Sequence, residues 1–194
     1  MLTLYDAPRC PFCARVRIVL AEKGIPYETI TVDLADRPRW IVELNPPDGR
    51  VPVLDEGGWI LPESALIDEY LEERFPEPPL LPLDPAERAW ARLVIFRFDD
   101  LRKPYYAFRR GEDRAVEELH DALARLGGLV EHAPFLGGGS FGLADIAYLP
   151  WLLRLRDQLG FPVGDHERVM RWVDRCAERP SVKAEIETIA GLAA

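Results

Sequence analysis

Alternating hydrophobic and polar residues begin the chain and predict a short strand in LTLYD, residues 2–6. A helix is expected from Pro11, because apolar residues then recur at helical spacing as far as Leu20 and Gly24 supplies a stop signal. Alternation returns in YETITVDL, residues 27–34. These three segments predict a β-α-β unit of minimal length.

The next segments predict one more short helix, two strands and a further helix. RPRWIVELNP is expected to be the short helix, and VPVL and WIL are expected to be strands joined by a turn at residues 55–58. Apolar residues at helical spacing then predict a helix from Pro62 or Glu63 to about Phe75. The order β-α-β-α-β-β-α describes a small α/β domain.

A proline-rich segment follows this domain. PEPPLLPLDP, residues 76–85, contains five prolines, which neither a helix nor a central strand tolerates. Beyond it the pattern is helical, in segments 85–110, 114–131, 143–159, 165–178 and 181–192. We therefore predict an α/β domain over 1–76, a linker over 77–85 and an all-helical domain over 86–194.

Charge and composition narrow the classes of function. The formal net charge of −9, from 33 acidic and 24 basic residues, disfavours nucleic acid and anionic lipid as partners. No apolar run approaches the length of a membrane span. With three cysteines and no basic segment followed by an apolar stretch at the start, we expect a cytoplasmic protein without a disulfide framework.

The closely spaced cysteines Cys10 and Cys13, in APRCPFCARVR, carry the strongest chemical signal. A zinc site would need two further ligands, whereas Cys176 stands alone and the histidines are scattered at positions 120, 132 and 166. An inert pair is the other alternative, but a Pro-punctuated turn is an unusual place for a buried thiol. The pattern favours thiol chemistry, with no metal.

Position supplies the physical reason for this interpretation. Cys10 is expected at the N-cap of the first helix, where unsatisfied N–H groups and the helix dipole favour a thiolate. Arg9 and Arg15 are expected to add positive charge and lower the thiol pKa further. Cys13 lies one helical turn on and could resolve a mixed disulfide formed at Cys10.

Several motifs in this order resemble one known family. A strand, CPFC, a helix, NPPDGRVPVL, ESALIDEYL, a proline-rich linker and a helical remainder are similar to the cytosolic glutathione transferase superfamily. CPFC most resembles its cysteine-type members, the omega-class transferases and two-domain glutaredoxins. The resemblance spans essentially the whole chain. It implies a thioredoxin-like α/β domain followed by an all-α domain, with glutathione as cosubstrate and usually a homodimer.

The resemblance also implies a glutathione site. Val51 and Pro52 match a Val-Pro pair joined by a cis peptide bond, whose valine backbone pairs with the cysteinyl unit of glutathione. Glu63 and Ser64 match an acid-serine pair at a helix start that holds the γ-glutamyl unit. Taken singly, each pair could be an ordinary strand edge or helix start. Together and in order they are far more specific.

Two departures from the family pattern concern glutathione and the fold. Many omega-like members carry a lysine for the glycine carboxylate of glutathione where this chain has Leu44, and the adjoining loop is one residue longer. Candidate replacements for that charge are Arg37, Arg39 and Arg50. In the helical half, Asp145 matches a buried capping box, but Gly142 stands where the family has Ser or Thr, a change expected to cost little.

The first long helix of the helical half is the part that, in the family, lines the pocket of the second substrate. Candidate lining residues in FRFDDLRKPYYAF are Phe98, Arg102, Tyr105 and Tyr106. Aromatic residues at helical spacing are more often core packing, which is the competing interpretation. The five tryptophans, at positions 40, 59, 90, 151 and 172, are likewise expected to serve packing.

These observations lead to one principal hypothesis and two alternatives. The principal one is a glutathione-dependent thiol transferase or disulfide oxidoreductase, in which Cys10 forms a mixed disulfide that glutathione then reduces. The second is a glutathione transferase that conjugates or dehalogenates an electrophile. The third is a non-catalytic interaction protein on the same fold, such as the stringent starvation proteins, which lack a redox cysteine pair.

Overall fold

The structure, a computed structural model, describes residues 1–193. The chain forms two compact units, the first spanning Met1–Pro78 and the second beginning at Pro79. This division falls inside the segment predicted as a linker, which has no helix or strand before Pro85. Residue 194, the end of the predicted helical domain, lies outside the described residues.

The first unit contains a four-stranded mixed sheet in the order β2-β1-β3-β4. Its strands are β1 (Leu2–Asp6), β2 (Tyr27–Thr31), β3 (Val53–Glu56) and β4 (Trp59–Pro62). Strand β1 pairs in parallel with β2 and antiparallel with β3, and β3 pairs antiparallel with β4. The last pair is a hairpin whose turn residues, Gly57 and Gly58, both have positive φ.

Three helices complete the first unit, namely α1 (Pro11–Glu22), α2 (Arg39–Leu44) and α3 (Ser64–Arg74). Helices α1 and α3 pack against each other. The side chain of Lys23 is fully buried at the end of α1, where its Nζ pairs with Glu72 at 2.6 Å and donates to the carbonyls of Phe75 and Pro78. One buried ammonium thus ties the last turn of α3 to α1. The observed order of elements matches the predicted β-α-β-α-β-β-α pattern.

The second unit is helical. Its helices within the described residues are α4 (Pro85–Phe96), α5 (Asp99–Arg109), α6 (Ala115–Leu129), α7 (Leu143–Asp157), α8 (Glu167–Ala177) and α9 (Pro180–Ala193), with a 3₁₀ turn at Val163–Asp165. Helix α7 is the centre of this unit, since 13 consecutive residues from Leu143 to Leu155 are buried. No helix within residues 1–193 combines the length and apolar character needed to cross a membrane.

The prediction of the first helix in this unit is wrong. The single helix expected over 85–110 is two helices, because the chain turns at Arg97 and Phe98. Phe98 then contacts the rings of Tyr148 and Trp151, with centroids 5.4 and 4.4 Å apart, so the turn delivers an aromatic side chain into the core. An uninterrupted helix over 85–110 would lack this turn at Arg97 and Phe98.

The tryptophans divide into two groups. Trp151 and Trp172 are buried as predicted, at 0 and 1% exposure. The other three expose between 42 and 49% of their surface, so the prediction of packing is wrong for much of each ring. Trp59, on the hairpin, contacts the ring of Tyr70 at a tilted angle, with the ring centroids 4.8 Å apart.

The capping site of α7 explains why glycine replaces the family's serine or threonine. Asp145 accepts hydrogen bonds from the backbone N–H groups of Gly142 and Leu136, both at 2.9 Å, and from Trp172 Nε1 at 2.7 Å. A Cβ on Gly142 would lie 2.2 Å from the carbonyl oxygen of Leu80. The neighbouring backbone therefore leaves no room for a side chain at Gly142, which is a constraint that the sequence did not show.

Candidate active site

Cys10 lies at the N-cap of α1, where the sequence placed it. A tight turn after β1 brings it there, with the N–H of Cys10 donating to the carbonyl of Ala7 at 2.8 Å. Pro11 occupies the first helical position, where its missing N–H leaves no backbone bond unmade. Cys13 follows one turn later and is fully buried, whereas Cys10 keeps 8% of its surface exposed. Both are free thiols, as is the buried Cys176 of the second unit.

The two thiols have opposite electrostatic properties. The pKa of Cys10 is lowered to about 7, chiefly by the side chain of Cys13 and then, against the effect of burial, by the backbone N–H groups of Cys13 and Phe12. The pKa of Cys13 is raised well above its ordinary value, because its thiol is buried and donates to Cys10. Of the pair, Cys10 is the thiol that ionises near neutral pH, and Cys13 stays protonated as its hydrogen-bond donor.

The start of α1 and Cys13 therefore lower the pKa of Cys10, an effect that the sequence patterns attributed in part to Arg9 and Arg15. Arg15 is buried on α1, and its Nη1 lies 3.5 Å from Ser64 Oγ, so its charge serves the start of α3. Arg9 is exposed. The main causes of the lowered pKa of Cys10 are Cys13 and the helix start, and a further contribution from these two cations stays a prediction.

A small cleft adjoins the cysteine. It has a volume of about 80 Å³ and is lined by Phe12, Asn45, Arg50, Val51, Pro52, Glu63 and Ser64. The Val51–Pro52 peptide is cis, as the resemblance implied. Cys10 Sγ lies 3.7 Å from the carbonyl oxygen of Val51, to which the protonated thiol donates. The structure thus brings together the four residues predicted for glutathione and places Cys10 against one of them.

The far side of the cleft is the start of α3. Ser64 is the first residue of α3 and is buried, with 5% of its surface exposed. Glu63 precedes it with φ of +72°, a backbone conformation that a residue with a side chain rarely adopts. A helix N-terminus favours a bound anion, because its first N–H groups have no partners within the helix. This end of the cleft suits a carboxylate beside an ammonium group.

The region expected to bind the glycine carboxylate of glutathione has one cation at the cleft. Arg50 lines it, with its guanidinium 2.7 Å from Asp48. Arg39 is 92% exposed in its side chain and pairs with Glu43 at 2.7 Å, and Arg37 donates to the carbonyl of Asp48. Leu44 packs against the apolar cluster that contains both cysteines. Of the three arginines considered as replacements, Arg50 alone is a lining residue of this cleft.

The residues predicted to line a second-substrate pocket lie in the second unit and differ in burial. Phe98 and Tyr105 are core residues, at 6 and 1% exposure. Arg102 and Tyr106 are half-buried, and Arg102 Nε donates to Asp99 at 2.6 Å. Only the latter two have surface to offer a ligand, and their role in binding one stays a prediction.

Two buried carboxyl groups near the site were not singled out by sequence patterns. Asp6 ends β1, is 4% exposed and pairs with Arg17 at 2.6 Å, and its negative charge opposes ionisation of both cysteines. Asp68 lies on α3 one turn after Ser64 and is 6% exposed. In the sequence both look like surface charges. Within residues 1–193, no three His, Cys, Asp or Glu side chains gather as metal ligands would.

Comparison with known proteins identifies the family. Residues 4–79 match the model of the glutathione S-transferase N-terminal domain, and residues 110–175 match the model of its C-terminal domain. Glutathione S-transferase omega-1 of Sus scrofa is 31% identical over 95% of this chain and 80% of its own length. The chain belongs to the glutathione S-transferase family. Relatives that are glutathione S-transferases, this one among them, confirm the predicted family and enzyme class.

Relatives of this glutathione S-transferase also carry other names. Pyrimidodiazepine synthase of Drosophila melanogaster is 34% identical over 95% of this chain and 80% of its own length. A stringent starvation protein A homolog of Haemophilus influenzae is 35% identical over 80% of this chain and 76% of its own length.

Solved structures confirm the predicted fold class. Glutathione transferase Omega 1C of Trametes versicolor superposes with a TM-score of 0.86 at 26% identity, covering 97% of this chain and 92% of that one. Rice GST1, solved in complex with glutathione, superposes with a TM-score of 0.86 at 29% identity, covering 95% of this chain and 90% of that one.

Proposed function

We propose that this protein is a glutathione-dependent thiol transferase in which Cys10 is the nucleophile. The observation that carries the proposal is the Cys10 sulfur at the start of α1, with its pKa lowered to about 7, beside the cleft of Val51, Pro52, Glu63 and Ser64. About half of this thiol is ionised at pH 7, whereas an ordinary cysteine is only a few per cent ionised. The site therefore suits nucleophilic attack by sulfur.

Glutathione would bind along the cleft in extended form. The Val51 backbone would pair with its cysteinyl unit, which directs the glutathione sulfur toward Cys10 Sγ, 3.7 Å from the Val51 carbonyl. Ser64 and the start of α3 would hold the γ-glutamyl carboxylate, and Glu63 would pair with the ammonium group beside it. Arg50 is the candidate for the glycine carboxylate.

The reaction has two exchange steps. The Cys10 thiolate attacks the glutathione sulfur of a mixed disulfide, the old S–S bond breaks, and the released thiolate takes a proton from water. A second glutathione, as its thiolate, then attacks the same sulfur, which yields glutathione disulfide and restores the Cys10 thiolate. When the substrate is an ordinary disulfide, a first glutathione thiolate exchanges with it to form the mixed disulfide and release one thiol. Two glutathione thiols are then oxidised in total, and the disulfide is reduced to two thiols.

Two serine variants test the proposal. Cys10→Ser should lower the reduction of 2-hydroxyethyl disulfide by glutathione at least about 100-fold, because a serine hydroxyl is not ionised at neutral pH. Cys13→Ser is the matched control and should keep most of this activity, since the scheme above uses one protein thiol. Retention of disulfide reduction by Cys10→Ser would disprove the role of Cys10.

A conjugating enzyme is the second candidate, and the glutathione S-transferase family itself favours it. In that case Cys10 would bind the glutathione sulfur without forming a lasting disulfide. If Cys10→Ser loses conjugation of 1-chloro-2,4-dinitrobenzene while disulfide reduction is absent from the wild type, this second candidate replaces the first. A gain of conjugation in Cys10→Ser, with loss of disulfide reduction, supports thiol transfer.

The relative named stringent starvation protein A homolog favours a third candidate, a non-catalytic interaction protein. The lowered pKa of Cys10 argues against it, because a protein without thiol chemistry has no need of an activated thiolate. Failure to bind immobilised glutathione, together with an unreactive Cys10, would favour it instead. A homodimer and a cytoplasmic location remain further proposals, which light scattering and cell fractionation would test.

A further inference from the structure

Asp68 is a buried carboxyl group that neither the fold nor the thiol chemistry explains. It lies four residues after Ser64 on α3, on the same face of the helix. Its exposure is 6%, and its Oδ1 has no hydrogen-bond partner within the described part of the chain, residues 1–193. A buried carboxylate oxygen without a partner is costly, so an ionised Asp68 is unfavourable here.

Arg15 connects this carboxyl group to the cleft. Its side chain is buried on α1, its Nη1 lies 3.5 Å from Ser64 Oγ, and its charge acts on Asp68. Glu69, the next residue on α3, opposes ionisation of Asp68. Other charges on the packed elements have partners of their own: Glu56 on β3 is bonded to Tyr70 and Arg74, Lys23 is paired with Glu72, and Arg17 is paired with Asp6. Arg15 is thus the cation that acts on both Asp68 and the start of α3.

In the free protein, two opposing effects set the pKa of Asp68. Burial raises the pKa of Asp68 to about 8, while Arg15 lowers it in part. A ligand carboxylate at Ser64 would bring a second negative charge to the same guanidinium. Two anions beside one buried cation repel each other, and protonation of Asp68 removes the repulsion.

We propose that Asp68 is a positioning residue that couples glutathione binding to the uptake of a proton, so that Arg15 serves the γ-glutamyl carboxylate alone when the site is filled. The inference rests on the glutathione site proposed above and adds its regulation by pH. Glutathione would bind more weakly in alkaline solution, where Asp68 holds its negative charge and competes for Arg15.

Calorimetry with S-methylglutathione measures this coupling directly. The probe has the γ-glutamyl unit but no free thiol, and a Cys10→Ser background removes the reactive thiolate from the protein. Titrations at pH 8 in two buffers of different ionisation enthalpy give the number of protons taken up on binding. If the ligand raises the pKa of Asp68 by about one unit, about 0.4 proton per site is taken up.

Asp68→Asn in the same background is the matched control, because it keeps the size and removes the titration. In this variant we expect the proton uptake to be smaller by about 0.4 proton. With Asp68 present, Kd should rise roughly tenfold between pH 7 and pH 10, and in Asp68→Asn this rise should be absent. The amino group of the probe is common to both titrations, so the difference belongs to Asp68. Asp68→Ser removes the same carboxyl group and replaces the Asn variant if that variant fails to fold.

The outcomes separate this inference from the proposed function. Equal proton uptake by the two proteins, with binding intact, would overturn the role of Asp68 and leave the glutathione site standing. No binding of S-methylglutathione to either protein would overturn the glutathione site and this inference together. Loss of disulfide reduction is not a readout here, so failure of the Cys10 mechanism leaves the calorimetric result unaffected.

Discussion

Replacement of Cys13 by alanine removes the thiol that contributes most to the lowered pKa of Cys10. A hydrogen bond to a charged group contributes about 1.5–3 kcal/mol, and one pKa unit corresponds to about 1.4 kcal/mol. The pKa of Cys10 should therefore rise by about 1–2 units, from about 7 to about 8–9. The helix N-terminus remains in the variant and keeps the thiol from becoming still less acidic.

The assay is alkylation of Cys10 by iodoacetamide between pH 5 and pH 10, followed by mass spectrometry. The rate rises with pH because only the thiolate reacts, and its midpoint gives the pKa. In the wild type we expect a midpoint near 7. At pH 7 the thiolate fraction of Cys13→Ala should be about 5- to 50-fold smaller than that of the wild type, and alkylation correspondingly slower.

Cys13→Ser is the matched control, since its hydroxyl group can still donate to the Cys10 thiolate. Its midpoint should stay close to that of the wild type. A midpoint that is the same in Cys13→Ala and the wild type would show that the helix start alone activates Cys10. A wild-type midpoint near the ordinary cysteine value of about 8.5 would refute the activated thiolate altogether.

Two further predictions concern the start of α7. Gly142→Ala should lower the free energy of unfolding by about 1–3 kcal/mol, because the added Cβ would meet the carbonyl of Leu80 and displace the backbone. Chemical denaturation measures this change. A neutral or stabilising result would contradict the prediction. Asp145→Asn should lower the free energy of unfolding by about 3 kcal/mol in the same measurement, since the amide cannot accept the hydrogen bonds of Gly142 and Trp172 as well as the carboxylate does. Asp174→Asn, at an exposed site on α8, serves as the control.

Local sequence patterns predicted the first unit well because its elements are short and clearly bounded. Alternation located the strands, and Pro11 and Gly24 marked the ends of α1. The break between α4 and α5 was missed because apolar residues continue through Phe98. The acidic pair Asp99 and Asp100, in the first turn of α5, was the available signal for a new helix start.

The candidate site was predictable where it depends on motifs and unpredictable where it depends on packing. Cys10, Val51 and Ser64 come together because the connections after β1, before β3 and after β4 all end beside one another. Asp68, by contrast, lies among acidic residues in ALIDEYLEE and looks like a surface charge. Only the packing of α3 on α1 shows that it is buried, and periodicity alone does not show which helix covers which face.

The burial of Cys176 has a practical consequence for such alkylation experiments. This thiol is fully buried on α8, and burial raises its pKa far above the ordinary value, so the folded protein protects it from alkylation. Any alkylation at Cys176 must pass through an opened form of the second unit, and its rate under native conditions measures how often that opening occurs. A single time course thus gives the chemistry of Cys10 in one unit and the conformational stability of the other.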